Sequence, residues 1–337
     1  MEKLIILSVY AFITAQAKRL PCYACLNSVC YIPYDKIFRD QKLSGQLAID
    51  RTANTIYYHY QEHGKDFTKA FDLNRANSTF IPLNFTFALT VDQTTRNLYL
   101  SAEKGIYKYN PSDNTTELYG LKDKTIWHMQ YADKLYYTEF RHKGLFTVNS
   151  VNKKKSVEIP ELNIYQIDDF IVDKRGDIYF MSNSALYVFR NGSNKAELFQ
   201  DEIYFLTTDK HGDAYFIQPY TRGIYKINYR NKTLKEVGAF KRGLAFKVVF
   251  DGDNHIVFYE STNKILYYLS PVLSKCTVTT RGVGKTRRKF VIRKSNRNNV
   301  IRFSQTGILE PDYTNKTSKI IKSSRKNSTT TANLHRD

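Results

Sequence analysis

After residue 17 the chain has no apolar run approaching the ~20 residues that a bilayer-crossing helix needs, so no membrane span is expected. It carries a single tryptophan, Trp127, and only four cysteines. Between its apolar stretches there is no ten-residue segment of helical period, which argues against an α/β fold. No Gly-x-Ser-x-Gly elbow is present. The seven histidines do not share a metal-ligand spacing on one strand or helix, so neither a metal nor a cofactor is expected. Gly282-Val283-Gly284-Lys285-Thr286 looks like the end of a phosphate-binding loop, but Thr279 stands where the pattern demands glycine. Without a strand before it or a helix after it, that reading fails.

What is present is a repeat. A phrase of the form apolar, x, apolar, Asp, turn, apolar, Tyr, aromatic returns from position 47 to position 268. It reads Leu47-Ala48-Ile49-Asp50 with Ile56-Tyr57-Tyr58, then Leu89-Thr90-Val91-Asp92 with Leu98-Tyr99-Leu100. Met129-Gln130-Tyr131 with Leu135-Tyr136-Tyr137 is a degenerate copy carrying Ala132 in place of the Asp. Three more copies end at Asp173, Asp209 and Asp251. Six units of about forty residues, each built from short strands, predict an all-β, six-bladed β-propeller. The expected domains are a signal peptide at 1–17, an N-terminal cysteine segment at 18–43, the propeller at 44–272 and a basic tail at 273–337. The sixth unit stops near Val272 without an outer strand; either the segment Cys30 to Tyr34 or an apolar piece of the tail is expected to complete it.

The ends point to export. Met1-Glu2-Lys3, an apolar run from Leu4 to Ile13 and Thr14-Ala15-Gln16-Ala17 fit a secretory leader. Seven Asn-x-Ser/Thr triplets, at Asn77, Asn84, Asn114, Asn191, Asn231, Asn315 and Asn327, suit a secreted glycoprotein. Cys22, Cys25 and Cys30 precede the repeats and Cys276 follows them. If all four pair internally, one disulfide must join the two ends, though three pairings are open. Of the formal charge of +19, +13 falls within residues 273–337, a stretch rich in Ser, Thr and Asn that is expected to be disordered. The propeller is only mildly basic, and an exported chain is not expected to meet nucleic acid. The tail offers a possible polyanion contact through Arg281, Lys285, Arg287, Arg288, Lys289, Arg293 and Lys294.

The repeated Asp reads as a turn former, because its carboxylate can accept backbone N–H groups just downstream. Five residues before it, near the start of each innermost strand, stand Gly45, Phe87, Trp127, Asp168, Tyr204 and Phe246. The next positions are Gln46, Ala88, His128, Asp169, Phe205 and Lys247. Four aromatics at one end of a channel suit a planar aromatic ligand, with polar groups to orient it. The candidate ligand-binding residues are therefore Phe87, Trp127, His128, Asp168, Tyr204, Phe246 and Lys247, with no catalytic residue among them. An inter-blade core is built from the same residue types, and a one-residue slip in register would turn the whole set inward.

Beyond the repeat itself, Asn54-Thr55-Ile56-Tyr57-Tyr58, Gly105-Ile106-Tyr107-Lys108-Tyr109, Thr125-Ile126-Trp127, Lys134-Leu135-Tyr136-Tyr137-Thr138, Ile159-Pro160-Glu161-Leu162 and Gly223-Ile224-Tyr225-Lys226-Ile227 form a pattern across the blades. With the leader and the early cysteines, this resembles the ommochrome-binding protein family of insect haemolymph. The resemblance implies a secreted, non-enzymatic carrier of an ommochrome pigment or a similar planar aromatic molecule. The basic tail after Cys276 departs from that family. Two alternatives are a calcium-dependent, lactonase-like propeller hydrolase, which would need several channel acids where only blade four offers Asp168 and Asp169, and an extracellular polyanion-binding scaffold acting through the tail.

Overall fold

The computed structural model describes residues 21–277, apart from 84, 104, 150, 151, 153, 154 and 244. The expected leader at 1–17 and all of the expected basic tail beyond residue 277 lie outside the described residues. Among the described residues there are six four-stranded antiparallel blades. Their innermost strands are Lys42–Asp50, Leu89–Val91, Ile126–Tyr131, Asp169–Val172, Phe205–Thr208 and Ala245–Phe250. Each packs beside the next, and the sixth packs beside the first, so the ring closes.

The repeat has a packing reason. On a strand, successive side chains point to opposite faces, and in a propeller both faces of a blade meet a neighbour. In blade four, Phe170 and Val172 pack toward blade three while Ile171 packs toward blade five. In the second strand Phe180 and Tyr179 divide the same way. The Tyr-aromatic pair thus supplies one ring to each interface. Six apolar clusters result, one in each gap between neighbouring blades, including the gap between the last blade and the first.

The five repeated aspartates head the turns between first and second strands. Asp50 Oδ1 accepts the N–H groups of Thr52 and Ala53, both at 2.9 Å. Asp92, Asp173, Asp209 and Asp251 do the same for their own turns. These turns also touch round the ring, as when Lys174 N–H donates to the Gly212 carbonyl and Lys210 N–H to Asn254 Oδ1.

Blade six consists of Ala245–Phe250, Ile256–Glu260, Ile265–Lys275 and, as its outer strand, the N-terminal segment Val29–Phe38. Of the two candidates raised by the sequence, the Cys30 segment closes the sheet. A short preceding strand, Ala24–Leu26, pairs with both Val29–Phe38 and the outer strand of blade five, Thr233–Phe240. The hairpin thereby joins blades five and six into one nine-stranded sheet. Disulfides link Cys22 to Cys30 and Cys25 to Cys276, the second spanning 251 residues.

Candidate ligand-binding site

The inner strands leave backbone N–H and C=O groups facing the axis with no further strand to pair with, and such groups need partners. Side chains supply them. Gln46 Oε1 accepts from Met129 N–H at 2.8 Å and from Leu89 N–H at 3.3 Å. That orientation leaves Gln46 Nε2 as a donor, to the Met129 carbonyl at 3.0 Å and to His128 Nε2 at 2.8 Å. One glutamine from blade one thus ties blades two and three. Gln130 brackets Val172 in blade four, accepting from its N–H at 2.6 Å and donating to its carbonyl at 2.9 Å. At the opposite end Arg51 donates to the carbonyls of Phe250 and Thr208. Burial is the main cause lowering its guanidinium to about 10, so it remains charged at neutral pH.

The channel inside this belt has a volume of about 130 Å³, below the ~300–1,000 Å³ of ordinary small-molecule sites. A planar ligand cannot be swallowed by it. The mouth where the inner strands begin is different. There Phe87 and Trp127, from blades two and three, stack with centroids 6.5 Å apart and planes at 27°. Trp127 also packs against Phe140 at 5.3 Å, and its indole Nε1 donates to the Asp168 carbonyl at 3.3 Å. Across the ring Phe205 and Phe246, from blades five and six, meet at 5.3 Å. Both line the channel, together with His128, Asp169 and Lys247.

His128 is the polar centre of this mouth. Because its Nε2 accepts from Gln46, its proton sits on Nδ1, 3.1 Å from Asp169 Oδ1. Burial pushes the imidazole down to about 4; Asp169 opposes that shift and the ammonium of Lys247 adds to it. The ring is therefore neutral at physiological pH. It serves as a fixed donor and acceptor rather than as a cation.

The seven residues picked from the sequence thus separate. His128, Phe246 and Lys247 line the channel mouth, Phe87 and Trp127 form the stacked pair, and Asp168 is an exposed residue whose backbone carbonyl holds the indole. Tyr204 does not join them. It is buried between blades four and five against Phe216 and Tyr225. Neighbouring side chains point to opposite sides, so Phe205 faces the channel and Tyr204 fills core. Three further residues that line the channel stand outside that set. Gln46, Asp169 and Phe205 occupied the adjacent counting position, and their cross-blade roles had no local signal. Phe140 was missed altogether, since it lies in a turn after the second strand where the repeat has no fixed aromatic.

A second depression, of about 430 Å³, lies at the blade six to blade one junction, lined by Tyr34, Asp35, Ile37, Phe71, Leu73 and Tyr268 among others. Among the described residues no group of three or more His, Cys, Asp or Glu side chains is placed to hold a metal ion, and no helix is long and apolar enough to cross a membrane.

No known family model matches the chain. A curated relative does: the chain is 26% identical over 275 residues to the ommochrome-binding protein of Manduca sexta, covering 77% of this chain and 96% of that protein. Among solved structures, a gluconolactonase from Xanthomonas campestris superposes with a TM-score of 0.55 at 10% identity, covering 74% of this chain and 91% of that one. The WD40 β-propeller domain of Doa1 does so at 0.50 and 10%, covering 72% and 97%. At such identities these two likenesses show the propeller fold alone.

Proposed function

Starting from a chain that is similar to an ommochrome-binding protein along most of its length, we propose that it is a secreted carrier whose cargo is an ommochrome pigment or a comparable planar aromatic molecule. The likeness to that relative is the observation that carries the reading. The mouth supplies a compatible chemistry. Phe87, Trp127 and Phe140 offer stacking area, and stacked aromatic contacts add about 0.5–1.5 kcal/mol each beyond area burial. Neutral His128, Asp169 and Lys247 are polar groups of three kinds within the adjoining channel. Since the channel itself is too narrow, the ligand would lie across the mouth on the aromatic shelf.

The larger depression at Tyr34 and Tyr268 is the rival seat, favoured by its volume alone. Blade three and the blade six to blade one junction stand on different sides of the ring, so the two seats are separable. Titration of the purified protein with xanthommatin, following emission from Trp127, is the test. Quenching that saturates at micromolar pigment is expected. Binding detected by absorbance without any quenching would move the ligand to the Tyr34 groove, and no binding by either readout would remove the carrier reading.

The propeller fold shared with a gluconolactonase leaves a hydrolase as the second possibility. Such an enzyme would need acids from several blades at the channel, whereas at this mouth Asp168 and Asp169 both come from blade four.

A further inference from the structure

Four of the asparagine triplets occupy one kind of place. Asn77 opens the outer strand of blade one, directly after the turn between third and fourth strands, and Asn114, Asn191 and Asn231 lie within the corresponding turns of blades two, four and five. All four are exposed. In an antiparallel four-stranded blade this turn lies at the same end as the turn headed by the repeated Asp, and the pairing shows it. Asn54 Nδ2, in the first turn of blade one, donates to Asn74 Oδ1 in its third. Asn191 N–H likewise donates to Asp177 Oδ1 in blade four. The Asp-headed turns touch from blade to blade, so the four asparagines share one face, on its rim. The Trp127 mouth belongs to the opposite face, where the inner strands begin.

Turn propensity alone does not explain this placement. Asparagine is common in turns for its own backbone reasons, and Asn54, Asn97 and Asn254 stand in the Asp-headed turns of blades one, two and six. None of those is followed by the hydroxyl residue that completes a triplet. Of the five blades whose third and fourth strands are joined by a turn, four carry one. The asparagine amides are also free to be modified. Among the described residues no hydrogen bond runs from Nδ2 of Asn77, Asn114 or Asn231, Asn114 accepting through Oδ1 from Tyr109 Oη, and Asn191 Nδ2 donates to the Arg175 carbonyl, which engages one of its two protons.

We propose that Asn77, Asn114, Asn191 and Asn231 carry N-linked oligosaccharides that clothe one rim of the propeller and leave the face bearing Trp127 bare. The donor is a lipid-pyrophosphate-linked oligosaccharide of the secretory route. A bond forms between Asn Nδ2 and the anomeric sugar carbon, the anomeric carbon–oxygen bond breaks, lipid pyrophosphate leaves and the amide loses one proton. The proposal rests on export and stands whether or not the cargo is a pigment. A bulky hydrophilic coat on one side would exclude protein partners there and confine ligand access to the other. The triplet at Asn84 gives the proposal its sharpest risk. Asn84 is outside the described residues, but its neighbours Leu83 and Phe85 belong to the loop entering blade two, on the Trp127 face.

The experiment is glycopeptide mass spectrometry on the full chain, produced with its own leader in insect cells and collected from the medium. Glycan on most copies of Asn77, Asn114, Asn191 and Asn231, with Asn84 bare on most copies, is the expected pattern. Secreted protein with these four sites empty, glycan at Asn84 as frequent as at the four, or a chain retained in the cells without sugar would each overturn it. The variant Asn77→Gln/Asn114→Gln/Asn191→Gln/Asn231→Gln, digested beside it, should lose nearly all of the mass that enzymatic deglycosylation removes from the parent's peptides of residues 21–277. A variant that keeps most of that mass places the sugar elsewhere and counts against the proposal.

Discussion

His128 Nδ1 lies 3.1 Å from Asp169 Oδ1, across the seam between blades three and four. His128 is buried at the channel mouth beside half-buried Asp169, and the ring is held neutral mainly by its own burial, down to about pH 4. In an unfolded chain the same imidazole titrates near its ordinary 6.5. Between those two values the unfolded chain takes up a proton that the folded chain refuses.

The sign of the resulting pH effect follows. The contribution is fully present above the unfolded value, is lost as pH falls from 6.5 toward 4, and amounts to roughly 3 kcal/mol at most. Chemical denaturation from about pH 7 to about pH 4 should show the wild type losing more stability than His128→Gln. Parallel curves for the two proteins would show that His128 is not held neutral as described.

Trp127 should carry most of the ligand signal. Trp127→Ala is expected to weaken pigment binding about tenfold, the equivalent of ~1.4 kcal/mol of lost stacking, with little change in melting temperature because the ring is only half-buried. Phe246→Ala should weaken binding as well, while Tyr34→Ala, at the rival depression, should leave it unchanged. Equilibrium dialysis read by pigment absorbance decides, since it does not rely on the tryptophan.

Gln46 is a structural test of the hub. Replacing it with leucine leaves the N–H groups of Leu89 and Met129 without their acceptor. Each buried group so stranded costs about 1–3 kcal/mol. The denaturation midpoint of Gln46→Leu should fall by an amount corresponding to at least ~2 kcal/mol, and an unchanged midpoint would mean that water satisfies those groups equally well.

The Cys25–Cys276 bridge closes a span of 251 residues. Constraining so long a loop in the unfolded chain is worth roughly 5 kcal/mol in the entropy picture, with measured gains often smaller. The double variant Cys25→Ala/Cys276→Ala should unfold at clearly lower denaturant than the parent. Removing Cys22 and Cys30, eight residues apart, should cost less, because the shorter loop restricts the unfolded chain less.

The sequence by itself determined the blade number and the strand pattern, because every blade must bury both faces: an apolar phrase with at least one aromatic ring recurs in all six blades and an Asp-headed turn in five. Phe170, Ile171 and Asp173 show their roles from spacing alone. The tertiary structure decided what spacing cannot encode: which segment completes blade six, which cysteines meet, and that Tyr204 turns into the core while Phe205 takes its place. It also decided that the hub is tied shut by Gln46, Gln130 and Arg51. Those side chains answer unpaired backbone groups on other blades, 42 to 199 residues away in sequence, and no local pattern records such a need. For the same reason Phe140 became visible only when the ring had brought a turn of blade three beside the indole.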